Sequence, residues 1–222
     1  LKITNFTANI QYKYKPQMDQ LLTTYIIIAV TVLVSMKGFN DREFTEKFLY
    51  KPYEVKHDKE WYRIFTHTLL HADWMHLLFN MFALYGFGLM VEQTYIVDYD
   101  SKLLGTLYFL ALYILGALFA TIIPYFRNQD NPGYRSLGAS GAVSAVIFAG
   151  VLMFPQAKLY VYFIEMPAWL FGPLYLAYEF WADRNSKTGI AHDAHIGGAI
   201  FGILFVLITN IERVKESFNL LF

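Results

Sequence analysis

Long apolar runs separated by short polar stretches organise this chain. A helix that crosses the hydrocarbon core of a bilayer needs about 17 to 25 mostly apolar residues. Six segments approach that length: Leu21 to Met36, Trp74 to Val91, Leu103 to Tyr125, Gly138 to Phe154, Ala168 to Ala182 and His195 to Ile211. The pattern predicts an all-α polytopic membrane protein, a bundle of six transmembrane helices over 21–211, with an N-terminal cytoplasmic segment 1–20 and a short C-terminal tail 212–222. Between the first two runs lies "KGFNDREFTEKFLYKPYEVKHDKEWYRIFT", which mixes charges with Phe, Tyr and Trp and suits a loop folded against the membrane surface. Pro155, Pro167 and Pro173 with Gly172 punctuate the region before the fifth run, so "KLYVYFIEM" is read as extended and the next helix as starting at Pro167. There is no internal repeat and no low-complexity tract.

Composition sharpens the picture. With 222 residues, 56% of them apolar and 18% aromatic, the chain is one sizeable domain too apolar for an ordinary soluble protein. Its zero net charge argues against nucleic acid as a partner, since phosphate binding needs a basic surface. The absence of cysteine excludes disulfides, zinc-thiolate sites and a thiol nucleophile, so any catalysis must use oxygen or nitrogen. Lys13 and Lys15 precede the first run and no small-residue cleavage pattern follows it, which reads as a retained anchor. Six spans place both termini on one side, with Lys2, Lys13, Lys15, Lys102, Lys158, Arg213 and Lys215; the opposite short loops carry Arg127, Arg135, Arg184 and Lys187. Seven basic residues against four favour cytoplasmic termini. The long first loop adds seven basic residues to the other side, but six acidic ones are interleaved, and structured loops translocate largely regardless of charge.

Polar side chains within the apolar runs are costly, and each is a functional candidate. His76 and Asn80, four residues apart, share one face of the second helix, while Ser140 opens the fourth and His195 the sixth. Each has a structural reading. Gly138, Gly141, Ala145 and Ala149 form a seam for close helix approach, Gly198 and Gly202 do the same on the face of His195, and His76 with Asn80 can serve as interhelical glue. Together they have a chemical reading as well. A serine hydroxyl needs a base within hydrogen-bond reach, and His195 is the imidazole on a small-residue face. The glycines let the fourth and sixth helices meet. A helix N-terminus at Ser140 presents free amides to an oxyanion, with His76 and Asn80 as side-chain donors. Asp193 lies about 200° round a helix from His195, so the expected machinery is a dyad.

These residues carry a resemblance to the rhomboid intramembrane serine proteases. "YRIFTHTLLHADWMHLLFNM" resembles the family's arginine-led approach and its His-x-x-x-Asn, "GASG" its Gly-x-Ser-Gly, and "AHIGGAIFG" its Ala-His-x-x-Gly-x-x-x-Gly. The resemblance implies a six-helix bundle with Ser140 as nucleophile, His195 as general base, and His76, Asn80 and the Ser140 amide at the oxyanion. It implies a site open to water on the non-cytoplasmic side, below the bilayer surface, and transmembrane segments of other proteins as substrates, with no cofactor and no metal. It further implies that Arg63 and Glu92 brace the first loop and second helix, and that substrates enter sideways between the second and fifth helices past Phe171, Leu174 and Tyr178. The expected location is multi-pass in a bacterial plasma membrane. One position departs from the pattern: where the family often has an aromatic packed on the histidine, this chain has Ser144. Its hydroxyl either accepts the N–H of His195 and fixes the tautomer, or merely keeps the helix contact small. Two rival classes stand beside the protease: an inactive rhomboid-like protein that binds membrane clients, and a metal enzyme using His67, His71 and His76 or His192, Asp193 and His195. His67 and His71 are assigned to structure at the junction of loop and helix.

Overall fold

The computed structural model describes residues 22–161, 164–185 and 189–220. The segment 1–20, with Lys2, Lys13 and Lys15, and Lys187 lie outside them. The first helix, α1 (Leu22–Asn40), turns Thr24, Thr31 and Ser35 inward and exposes Leu22, Ile26, Val30, Leu33 and Met36. That is the reverse of a soluble helix. Lipid tails solvate leucine as well as a protein interior does, so the hydroxyls are the groups that gain from burial against other helices.

The segment between the first two runs folds into short helices, α2 (Arg42–Phe48), α3 (Pro52–His57) and α4 (Arg63–Thr66). Asp41 caps the first of them, its carboxylate accepting the Phe44 amide at 2.8 Å. The loop is tied together by buried Arg63, whose Nη1 donates to the carbonyls of Glu46 at 3.1 Å and Leu49 at 2.8 Å.

The second membrane helix, α5 (Trp74–Asp98), contains one π-helical stretch at Leu84–Gly88. Glu92 near its end is fully buried and accepts the Thr23 and Thr24 amides at 3.0 Å and the Thr24 hydroxyl at 2.7 Å. A carboxylate from α5 thus caps the start of α1, offsetting orphan amides and favourably placed at the positive end of the helix dipole. Then follow α6 (Lys102–Ala120), α7 (Ile122–Asn128), α8 (Ser140–Met153), a hairpin of β1 (Lys158–Val161) and β2 (Ile164–Pro167), α9 (Ala168–Asn185), α10 (His192–Thr209) and α11 (Ile211–Phe218).

Among the described residues, four helical stretches are long and apolar enough to cross a membrane: Leu22–Asn40, Trp74–Asp98, Lys102–Asn128 and His192–Thr209. The other two complete the six-helix bundle in ways their sequences explain. Glu179, Asp183 and Arg184 lower the apolar character of α9. The central α8 has only 14 residues, all buried except Ser140 and Leu152. Such a helix rises about 21 Å, against about 30 Å of hydrocarbon. If its Met153 end reaches one surface, Ser140 stands roughly 9 Å below the other.

Several boundaries differ from the sequence reading. The fifth helix starts at Ala168, because Pro167 pairs with Lys158 at the end of the hairpin. The sixth starts at His192, one turn earlier than expected. The tail is not free either: α11 docks under the bundle, with Arg213 paired to Asp98 and the Ser217 hydroxyl donating to Met153 O at 2.7 Å.

Candidate active site

The loop before α8 determines where Ser140 stands. Gly138 has φ +130°, a conformation that side chains strain to adopt, and its backbone turn ends the extended segment two residues before Ser140. Its amide donates to His67 O at 3.0 Å, and the Ala139 amide donates to His71 Nε2 at 3.4 Å. The Ser35 hydroxyl donates to Leu69 O at 2.8 Å, so His71 Nδ1, 2.9 Å away, carries the proton and donates to Ser35 Oγ. The free lone pair of Nε2 is then what the Ala139 amide meets. Burial pushes the His67 ring down to about 4, and burial helped by neighbouring His76 pushes His71 down to about 3. Both rings are neutral clamps at the junction of loop and helix, in keeping with the structural role expected for them. The next amides, those of Ser140 and Gly141, open the helix.

His76 and Asn80 sit on one face of α5, as predicted. His76 Nδ1 accepts the Ala72 amide at 3.4 Å, which leaves its Nε2 as the donor. That nitrogen points at Gly138: the position a Cβ would take there lies 2.9 Å from His76 Nε2 and 3.7 Å from Ser140 Oγ. Only glycine lets the imidazole and the hydroxyl share this space. Asn80, buried one turn along, spends one amide proton on His76 O at 2.9 Å.

The small-residue seam brings α8 and α10 to backbone contact. A Cβ on Gly198 would lie 2.0 Å from Gly141 O, and one on Gly202 would lie 2.2 Å from Ala145 O. A Cβ on Gly141 itself would meet Ala120 of α6 at 2.4 Å and Ala194 O of α10 at 3.4 Å, so three helices converge there. Ser140 precedes Gly141 and His195 follows Ala194, so both stand at the same end of this seam. Among the described residues no direct hydrogen bond joins the two side chains; such bonds commonly tighten only when substrate is bound.

Two residues of α9 complete the surroundings of His195, and the sequence reading missed both. Glu179, buried at 3% exposure, takes His195 Nδ1 on Oε1 at 3.1 Å and His192 Nδ1 on Oε2 at 2.6 Å. Tyr175, one turn before it, meets the Ser144 hydroxyl at 3.4 Å. The suggestion that Ser144 orients His195 is therefore corrected: the hydroxyl pairs with Tyr175, and the histidine nitrogen it was to hold belongs to Glu179. An ionisable residue in the middle of an apolar run was the available signal. Asp193 turns away as expected, toward Arg127 at 3.3 Å, and that guanidinium also holds Asp183 at 2.8 Å. Each proposed metal set loses one member to another partner: His67 Nδ1 lies 2.8 Å from Arg63 O, and Asp193 faces Arg127, while the His71 and His76 rings stay 4.9 Å apart and His192 and His195 both face Glu179.

The fold and site thus define a polytopic helical membrane protein with a serine at the head of a short buried helix, at the end of the glycine seam where His195 also stands. A profile of the Rhomboid domain matches residues 58–211, and the chain belongs to the rhomboid family. It is 29% identical over 186 residues to rhomboid protease GlpG of Haemophilus influenzae, covering 82% of this chain and 88% of that protein. It is 26% identical over 190 residues to the mitochondrial RHOMBOID-like protein 12 of Arabidopsis thaliana, covering 78% of this chain and 54% of the relative. With the mitochondrial rhomboid protein 1 of Saccharomyces cerevisiae it shares 31% over 144 residues, 61% of this chain and 38% of the relative. The chain thus spans about half the length of the Arabidopsis protein and less of the yeast one. These relatives are mostly mitochondrial proteins, so the expected bacterial plasma membrane finds no support in them.

Proposed function

We propose that this chain is an intramembrane serine endopeptidase that cuts transmembrane segments of other proteins. The Ser140 oxygen attacks the scissile carbonyl while its proton passes to His195 Nε2. The resulting oxyanion is met by the Ser140 amide, His76 Nε2–H and the remaining amide proton of Asn80. Collapse of the tetrahedral intermediate breaks the peptide bond as His195 returns the proton to the leaving nitrogen. Water, activated by the same imidazole, then hydrolyses the acyl ester. The observation that carries this reading is the Gly198 to Gly141 backbone contact, which sets the serine and histidine at one end of one seam. The short α8 supports a scissile bond inside the bilayer, and a substrate helix must unwind locally to expose it.

Lateral access fits the packing. The outer faces of α5, with Leu78 and Phe82, and of α9, with Leu174 and Tyr178, are exposed. A substrate helix of apolar residues finds lipid-like surface on both helices.

The test uses purified chain in proteoliposomes with a transmembrane reporter. Ser140→Ala and His195→Ala are each expected to abolish cleavage at unchanged melting temperature, and the double variant to be no worse than either. A fluorophosphonate is expected to label Ser140 in the native chain only. Turnover by Ser140→Ala would overturn the proposal, and a native chain that neither cleaves nor labels would return it to the client-binding class.

A further inference from the structure

Glu179 is a carboxylate in the middle of a membrane helix, and both of its oxygens are committed. Oε2 lies 2.6 Å from His192 Nδ1 and Oε1 lies 3.1 Å from His195 Nδ1. An ionised carboxylate only accepts hydrogen bonds, so each imidazole must present an Nδ1–H to it, and in the neutral form of His195 this leaves Nε2 bare. For His195 the bare nitrogen is the one a base needs.

We propose that Glu179 is the acidic positioning residue of this protease, holding His195 in its Nδ1–H tautomer and stabilising the imidazolium formed when Ser140 gives up its proton, with His192 as the second donor that fixes the carboxylate. The machinery is then a triad whose acid comes from the fifth membrane helix. This rests on the reading of Ser140 as nucleophile and His195 as base.

The energetics favour this assignment. With both imidazoles in their neutral form, the buried carboxylate is an incompletely compensated charge in a medium where charge is costly. Once the proton of Ser140 Oγ reaches His195 Nε2, the histidine is positive and lies 3.1 Å from the carboxylate. The charge is therefore best compensated in the transition state and least so at rest, which is the differential that accelerates a reaction. The groups around it do not take over this role. Asp183 of α9 and Asp193 of α10 are engaged by Arg127 of α7; Tyr175 of α9 meets Ser144 of α8; the Tyr178 ring lies edge-on to His192 at 6.0 Å; and His76 of α5 faces Gly138. Because the carboxylate rides on α9, the base is oriented only while α9 stays docked on α10.

The same three side chains bring ligand atoms within 4.8 Å of one another, a set that a metal ion can use. A tetrahedral zinc with bonds of about 2.0 Å holds its donor atoms roughly 3.3 Å apart. The 2.6 Å between His192 and Glu179 is instead the length of a charge-assisted hydrogen bond, with a proton between the atoms.

The test compares native chain, Glu179→Gln, Glu179→Asp and His192→Gln in proteoliposomes. In Glu179→Gln, kcat is expected to fall about 10²- to 10⁴-fold, as when the acid of a serine triad becomes its amide. KM and melting temperature should change little, and labelling of Ser140 by a fluorophosphonate should slow in parallel. Glu179→Asp is expected to recover part of the loss, and His192→Gln to lose about tenfold or less. Nitrogen-15 NMR of the native chain should show His195 as the Nδ1–H tautomer. An Nε2–H tautomer would overturn the proposal even if every variant misfolded. Native kcat in folded Glu179→Gln, or a fall in melting temperature alone, would overturn it while native cleavage left the protease reading intact. Activity lost to a chelator and restored by zinc would assign the three side chains to a metal and overturn it too.

Discussion

Gly198→Ala puts the helix seam to the most direct test. The added methyl would lie 2.0 Å from Gly141 O and 2.8 Å from Gly141 C, where contacts under 3.0 Å essentially never occur. Both obstacles are helix backbone, so neither can rotate aside, and α10 must lift from α8 by about 1 Å at this level. Gly198 is one turn from His195, and the lift carries the imidazole away from Ser140. A misplacement of about 1 Å typically costs about 10²-fold in rate, and the overpacking itself costs about 1 to 3 kcal/mol. The assay is cleavage of a transmembrane reporter in proteoliposomes, with kcat corrected for folded protein and the fluorophosphonate labelling rate read alongside. Both rates should fall about 10²-fold, with a lower melting temperature. Gly202→Ala, 2.2 Å from Ala145 O but one turn further from the site, should lose stability with a smaller loss of kcat. Gly86→Ala, with nothing within 4 Å of the new methyl, should cleave at the native rate. Native kcat in folded Gly198→Ala would refute the idea that this contact sets the distance between base and nucleophile.

Two further predictions concern the surroundings of the site. Ser144→Ala should leave kcat within about twofold, because it removes only a 3.4 Å hydroxyl pair with Tyr175; a large loss at native melting temperature would return Ser144 to an orienting role. His67, neutral in the fold with its ring pushed down to about 4, stabilises the fold fully above the ordinary histidine value of about 6.5. That contribution is lost as pH falls from about 6.5 toward 4, at up to about 1.4 kcal/mol per pH unit, and His71 acts in the same direction down to about 3. Melting temperature should drop over this window, and His67→Gln should flatten the curve. An unchanged slope in that variant would show that the protonation of His67 is not coupled to unfolding.

The linear chain carried the membrane class and the six-helix count, because apolar runs of bilayer length have few alternatives to spanning helices. It also carried the small-residue seam, because glycines at i and i+4 on a helix mark a face on which another backbone can rest. The His76 to Asn80 pairing was legible for the same reason, since a spacing of four is one helical turn. Glu179 was not legible as a partner of His195: the two are 16 residues apart on different helices, across a loop, and no periodicity links them. Nor could the spacing tell that Ser144, one turn below Ser140, would face Tyr175 of α9. A side chain's face on its own helix follows from a period of 3.6 residues, and the chain states it. Which other helix stands opposite that face depends on how six helices pack at once, and only the folded bundle decides it.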